Sequence, residues 1–155
     1  MISAWRISDP EFAQTPEEML SGEGARLYGG RWNSEGRPLV YASGNIATAT
    51  LEILVNLEER NILRTYMMIN ILIPEEIIVE VEESDLPDDW KEESMTPITQ
   101  AIGDKWLQSG ESAVLKVPSV AAPMEWNYLV NPEHPDFSRI EIEIFMPYSM
   151  DARLR

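Results

Sequence analysis

Two hydrophobic periods alternate along this chain, and the points where one gives way to the other mark out its elements. Residues 2–7 read as a short strand ended by Asp9-Pro10. Thr15-Pro16-Glu17-Glu18 is a helix start: a Thr cap, Pro at the first position, and Glu three residues after the cap. Gly22 and Gly24 break that helix early. Residues 39–43 are apolar enough for a buried strand. A longer helix is predicted from Ser43 or Asn45 to about Glu59, with Ile46, Thr50, Ile53 and Leu57 on one face, widened by Ala49 and Leu54. Glu52 falls off this stripe, beside Thr48, Asn56 and Glu59.

Residues 66–73 and 77–81 follow as strands separated by Pro74; in the second, Ile77, Val79 and Val81 alternate with Ile78, Glu80 and Glu82. The acidic, proline-containing stretch 83–93 is expected to be an exposed connection. Thr96-Pro97 opens another helix, with Ile98, Ala101, Ile102 and Trp106 as its apolar face and Gly110 as its C-cap. Residues 113–117 read as a strand and 118–135 as irregular, with turn pairs at Asn131-Pro132 and His134-Pro135. In the last strand Ile140, Ile142, Ile144 and Met146 alternate with Glu141, Glu143 and Phe145, which predicts one buried face. No repeat or low-complexity tract interrupts the order. That order is not regular βαβ, so the fold class is α+β, a single domain over residues 1–155.

Composition narrows the setting. A chain of 155 residues buries roughly 68–70% of its unfolded surface, enough for a self-sufficient core. It has no cysteine, so neither disulfides nor thiolate metal sites hold it together, and a reducing cytoplasm fits. The N-terminus lacks the pattern of a signal peptide. No apolar run approaches the roughly 20 residues of a bilayer span, so no membrane association is expected. The net charge of −15, from 27 acidic and 12 basic residues, repels nucleic acid and anionic membrane and favours a basic protein partner. The charge is uneven. Residues 75–93 hold ten acidic side chains and one lysine, whereas residues 26–50 hold three arginines and only Glu35. An anionic ligand is least repelled in that second stretch.

The same stretch carries the candidate chemistry. Arg31 follows Gly29-Gly30, where the backbone can approach a ligand closely and a guanidinium can grip phosphate bidentately; the plainer reading is a surface arginine beside a turn. No P-loop lysine or G-x-G-x-x-G pattern accompanies it. Tyr41 is either a core aromatic or a ring and hydroxyl that orient a sugar. Glu52 is either solvated or a carboxylate facing a cleft, able to hold ribose hydroxyls and stabilise positive charge at an anomeric carbon. Ser119, after a strand and Pro118, is either a turn serine or a donor to a phosphate or amide. The single histidine, His134, reads as a structural loop residue, and no metal site is expected.

Together these segments resemble the RES-domain family, named for its arginine, glutamate and serine. The resemblance rests on Trp5-Arg6, Gly24-Ala25-Arg26-Leu27-Tyr28-Gly29-Gly30-Arg31-Trp32-Asn33, Val40-Tyr41-Ala42-Ser43, Leu51-Glu52, Val117-Pro118-Ser119, and Trp126-Asn127-Tyr128-Leu129-Val130-Asn131-Pro132-Glu133-His134-Pro135. It covers nearly the whole chain in order, although residues 75–93 carry no match. It implies a mixed, split β-structure similar to the ADP-ribosyltransferase-toxin fold, around an NAD-binding cleft. It also implies the toxin of a bacterial toxin–antitoxin pair, cleaving the nicotinamide–ribose bond with phosphate as acceptor. NAD would then be a substrate, and no recycled cofactor is implied. The partner implied is an Xre-type helix-turn-helix antitoxin that covers the cleft in a hetero-oligomer and does the DNA binding. Carried over by residue, Arg31 anchors an NAD phosphate, Tyr41 positions the nicotinamide ribose, and Glu52 stabilises the oxocarbenium-like transition state. Ser119 is taken as the family serine, with Ser43 also near the matched region; Arg6 and Asn127 are further cleft candidates. Two alternatives stay open: protein ADP-ribosyl transfer on the same scaffold, and a non-enzymatic acidic interaction module.

Overall fold

In the computed structural model, which describes residues 1–11, 13–56 and 64–154, seven strands form one mixed sheet. They are β1 (Ile2–Ser8), β2 (Val40–Ser43), β3 (Thr65–Ile73), β4 (Ile78–Glu80), β5 (Val114–Pro118), β6 (Trp126–Val130) and β7 (Glu141–Ser149). Helices α1 (Pro16–Met19), α2 (Glu23–Tyr28), α3 (Ile46–Leu54) and α4 (Thr96–Ser109) connect them. The sheet order is β4-β5-β6-β2-β1-β3-β7, and only β4 and β5 run parallel. The α+β expectation holds. So does the split: β1 pairs with β3 continuously from Ile2↔Ile73 to Ser8↔Met67, but with β2 only at Trp5↔Ser43. The sheet is thus two blades, β4-β5-β6-β2 and β1-β3-β7, joined at a seam.

Alternation along β5 and β6 sends side chains to two cores on opposite faces. Val114 and Val130 join Ala4, Val40 and Ile69 to Ile73's cluster beside α1, while Leu115, Val117 and Leu129 pack with Trp32, Trp106 and Leu107 under α4. A third cluster, with Ile7, Ala49, Tyr66 and Met68, seats α3 on the β1-β3 blade. Each fully buried aliphatic side chain contributes about 1.5–3 kcal/mol.

Several elements differ from the sequence expectation, each for a local reason. The helix from Thr15-Pro16 is short as expected, ending at Met19, but a second helix, α2, follows where none was expected, with Gly24 inside it and Gly22 and Gly29, both at φ 71°, at its ends. β6 occupies part of the stretch expected to be irregular, its five residues framed by turn-forming prolines that mask the alternation. Residues 83–93 are not simply an exposed connection. Leu86 and Trp90 are buried in the core under α4, so the segment is a strap anchored by two apolar side chains. The predicted face of β7 holds only in part: Ile140, just before the strand, packs on the core as expected, but Ile142 and Met146 are exposed and Phe145, expected on the other face, packs on the core. A bulge explains the second half of the strand, since Asn70 pairs with Ile144 and Ile71 with Ile142, leaving Glu143 over and placing Phe145 opposite the core residue Ile69. Ile142 keeps its register with Ile71 and is exposed on the edge strand.

α3 begins as expected at Asn45, whose side chain accepts from the Thr48 amide at 2.8 Å. Its predicted end near Glu59, with Leu57 on the apolar face, lies outside the described residues. α4 ends as expected at Gly110 (φ 63°) but buries Thr99, Gly103, Trp106 and Leu107, leaving Ile98 and Ala101 exposed. Gly103 decides the rotation. A Cβ there would stand 1.6 Å from the Trp32 carbonyl oxygen, so the helix presses its bare backbone onto the turn before β2. Thr99 Oγ1 donates to the Arg31 carbonyl at 2.5 Å and Gln100 Nε2 to the Gly30 carbonyl at 2.9 Å, which fixes that turn from above. His134 is a loop residue: Nδ1 accepts from the Asp136 amide and Nε2 donates to the Gly110 carbonyl, both at 3.0 Å. Among the described residues no helix is long and apolar enough to cross a membrane, and no cluster of His, Cys, Asp or Glu could hold a metal.

Candidate active site

A cleft of about 340 Å³ opens at the seam between the blades, lined by β1, α2, the turn at Gly29 to Arg31, β2, α3 and Asn127 of β6. Helical spacing puts Glu52 off the apolar stripe of α3. The sheet seam makes that off-stripe face a cleft wall rather than open solvent. Glu52 Oε1 accepts from Ser119 Oγ at 2.7 Å and from Asn127 Nδ2 at 2.8 Å. Asn127 Oδ1 in turn accepts from Ser43 Oγ at 2.7 Å, which fixes the amide orientation. Ser43 and Asn127 are register partners in the β2–β6 ladder, so this link follows from the sheet itself. Both bonds fall on Oε1, and among the described residues Oε2 accepts none. Hydrogen bonds to a charged group are worth about 1.5–3 kcal/mol each, enough to hold the carboxylate in one orientation. Of the two serines considered, Ser119 touches the carboxylate and Ser43 acts through Asn127.

Tyr41 is tied to the turn before it. Its hydroxyl donates to Asn33 Oδ1 at 2.6 Å and accepts from the Trp32 amide at 3.0 Å. Burial pushes the phenol above its ordinary pKa, so at neutral pH it is a protonated donor and not a base. The close approach requires Gly30, where a Cβ would stand 2.6 Å from the Tyr41 hydroxyl. Asn33, fully buried, completes the clasp by donating to the Ala25 and Ser34 carbonyls at 3.0 Å. Sequence reasoning did not single out Asn33; its only signal was membership of the glycine-arginine stretch.

The two arginines are placed differently. Arg31 borders the cleft, but its guanidinium turns to the strap: Nη2 donates to the Trp90 carbonyl and, at 3.1 Å, to the Glu92 carbonyl, while Nη1 reaches Thr96 Oγ1 at 3.5 Å. It lies 6.0 Å from the Trp90 ring centre. Burial lowers its pKa, with Glu93 opposing, and its Nε has no partner among the described residues. The structure therefore does not bring the Arg31 guanidinium to Glu52. Arg6, on β1, is the cation inside the cleft. Its Nη1 donates to the Tyr41 carbonyl at 2.9 Å, bridging the seam, and burial lowers its pKa to about 10, so it stays charged at neutral pH.

The family model of the RES domain matches residues 3–152. The chain belongs to the RES-domain family. Its RES domain thus takes in both blades and every residue of the cleft. A protein named Prs ADP-ribosylating toxin, from Sphingobium sp. (strain YBL2), is 36% identical over 156 residues, covering 98% of this chain and 96% of that one. A protein named Toxin Res, from Photorhabdus laumondii subsp. laumondii, is 37% identical over 139 residues, 89% of each chain. Among solved structures, the M. tuberculosis MbcT–MbcA toxin–antitoxin complex contains a chain that superposes on this RES domain with a TM-score of 0.77, covering 95% of this chain and 84% of that chain. At 17% identity that likeness is one of fold.

Proposed function

We propose that this RES domain is the toxin of a toxin–antitoxin pair and that it cleaves the nicotinamide–ribose bond of NAD. The observation that carries this reading is the carboxylate of Glu52, held by Ser119 and Asn127 with one oxygen uncommitted, at the seam of the cleft. As the C–N bond breaks, its electron pair passes to the nicotinamide nitrogen and neutralises the pyridinium. Positive charge then develops on the ribose ring, where a fixed carboxylate stabilises it. A leaving group this good needs little more than that charge and correct positioning. An oxygen of inorganic phosphate then bonds to the anomeric carbon, giving nicotinamide and ADP-ribose 1″-phosphate. Tyr41 positions the ribose, Arg6 supplies the positive charge for the phosphates from inside the cleft, Arg31 adds to it from the border while its guanidinium holds the strap, and NAD is consumed rather than recycled.

Purified chain free of antitoxin, incubated with NAD with and without phosphate, tests this by product separation. Phosphate-dependent release of nicotinamide is expected; phosphate-independent loss would make the reaction hydrolysis, and intact NAD in both samples would overturn the reading. A second reading is favoured by the name of the Sphingobium relative, an ADP-ribosylating toxin: ADP-ribose passes to a protein acceptor, which labelled NAD would reveal as labelled protein. The partner proposed is an Xre-type helix-turn-helix antitoxin that covers the cleft, carries the DNA contacts and works with this acidic chain in the cytoplasm. A purely structural acidic module leaves the Glu52 network without a use, and would gain only if Glu52→Ala protein stayed fully toxic in cells.

A further inference from the structure

A second cavity, of about 450 Å³, lies on the far side of Arg6 and shares Arg6, Ile7, Gly24 and Ile53 with the cleft. We infer that it receives the adenosine half of the dinucleotide, with the diphosphate over Arg6 and the Ser8 hydroxyl bonded to the nucleoside; this rests on the NAD reading above. Arg6 and Ser8 are two residues apart on β1, so both side chains lie on one face about 7 Å apart. Each carries a buried polar atom, Nε and Oγ, with no partner among the described residues. Ser8 is 92% buried (8% exposed) and borders the cavity.

Buried polar atoms are ordinarily bonded, and a buried cation is ordinarily paired. Arg6 has a carbonyl for one Nη1 bond, and no carboxylate among the described residues forms an ion pair with it. The positive charge therefore sits at the junction of two chambers with no ion-pair partner among the described residues. A dinucleotide has the matching profile, with its anionic diphosphate in the middle and an uncharged sugar-borne group at the adenosine end. The first cleft alone stands near the low end of the roughly 300–1,000 Å³ of small-ligand pockets, which also calls for a second chamber. The rim of the second chamber explains why a free anion is not its occupant. Asp9, Glu18 and Glu23 line it, Asp9 paired with Arg64 and Glu23 with Arg26, and Arg6 is the one cation among its described lining residues. The carboxylate oxygens thus offer acceptors to ribose hydroxyls and an exocyclic amine rather than a cradle for an isolated phosphate. Leu27 and the exposed ring of Tyr28 supply apolar surface for a base.

The test measures binding, so it does not depend on turnover. AMP, nicotinamide mononucleotide and inorganic phosphate are titrated calorimetrically into the full chain and into Ser8→Ala protein, with thermal melts of both. AMP affinity is expected to fall about 3–10-fold in Ser8→Ala, the value of one hydrogen bond. Nicotinamide mononucleotide should bind both proteins alike. The melt should be unchanged or higher, because the hydroxyl that is removed has no partner among the described residues. AMP affinity indifferent to Ser8, or no AMP binding at all, overturns the inference. So does phosphate binding that excludes AMP and weakens equally in Ser8→Ala, which would make this the acceptor's chamber. Protein that turns over NAD while AMP ignores Ser8 loses the subsite alone. Protein that leaves NAD intact loses the cleavage reading, and the AMP titration still decides the subsite.

Discussion

Glu52 takes its position from two side chains that sit 67 and 75 residues further along the chain. Replacing Glu52 by Gln keeps an oxygen for the Ser119 and Asn127 bonds and removes only the charge. NAD turnover should fall by about 10²–10³-fold, as for loss of one transition-state stabiliser, with an unchanged thermal melt; equal turnover would remove Glu52 from the chemistry. Ser43→Ala acts one bond further out. It leaves buried Asn127 Oδ1 without its donor, which should cost about 1–3 kcal/mol in urea unfolding and lower turnover as Asn127 loosens. The identities of Glu52, Ser119 and Asn127 were legible as ordered motifs. Their mutual bonding was not, because periodicity describes one helix and says nothing of the strand facing it. Arg31 shows the limit more sharply: the glycines marked its backbone, while the direction of its guanidinium was decided by carbonyls about sixty residues away.

At the scale of elements, amphipathic patterns and caps located β1, β3, α3 and α4. The misreadings share a cause, namely neighbours that local pattern cannot report. The strap is the clearest case. Ten acidic side chains over residues 75–93 read as solvated, yet Trp90 is buried, lies 5.9 Å from the Trp32 ring centre, and donates through Nε1 to Glu83 at 3.2 Å. Trp90→Ala should therefore destabilise by about 3–5 kcal/mol, as for a core tryptophan, where an exposed connection would show no more than about 0.5. The midpoint of urea unfolding distinguishes the two. The face of α4 is a second case, since the residue that brings the helix onto the Trp32 carbonyl is a glycine, which no count of apolar side chains would select.

For the molecule as a whole, the net charge of −15 opposes the capture of an anionic dinucleotide. Raising ionic strength from 0.01 to 0.1 M shortens the Debye length from about 30 to about 10 Å, so the KM for NAD should fall as the general field is screened. A rise in KM would mean that contacts with Arg6 or Arg31 outweigh that field. The seam sets the other property of the whole. Ladder hydrogen bonds are what make a sheet stiff, and between β1 and β2 the ladder is reduced to Trp5↔Ser43 with the Arg6 bridge beside it. The seam is the least bonded line of the sheet, and a dinucleotide laid across both blades would act as the missing rungs. Saturating nucleotide should then slow amide exchange along both strands of the seam and raise Tm with ligand concentration, by about 2.7 kcal/mol of added stability at a hundred times Kd. A dinucleotide substrate would, in this sense, be the brace that completes the sheet.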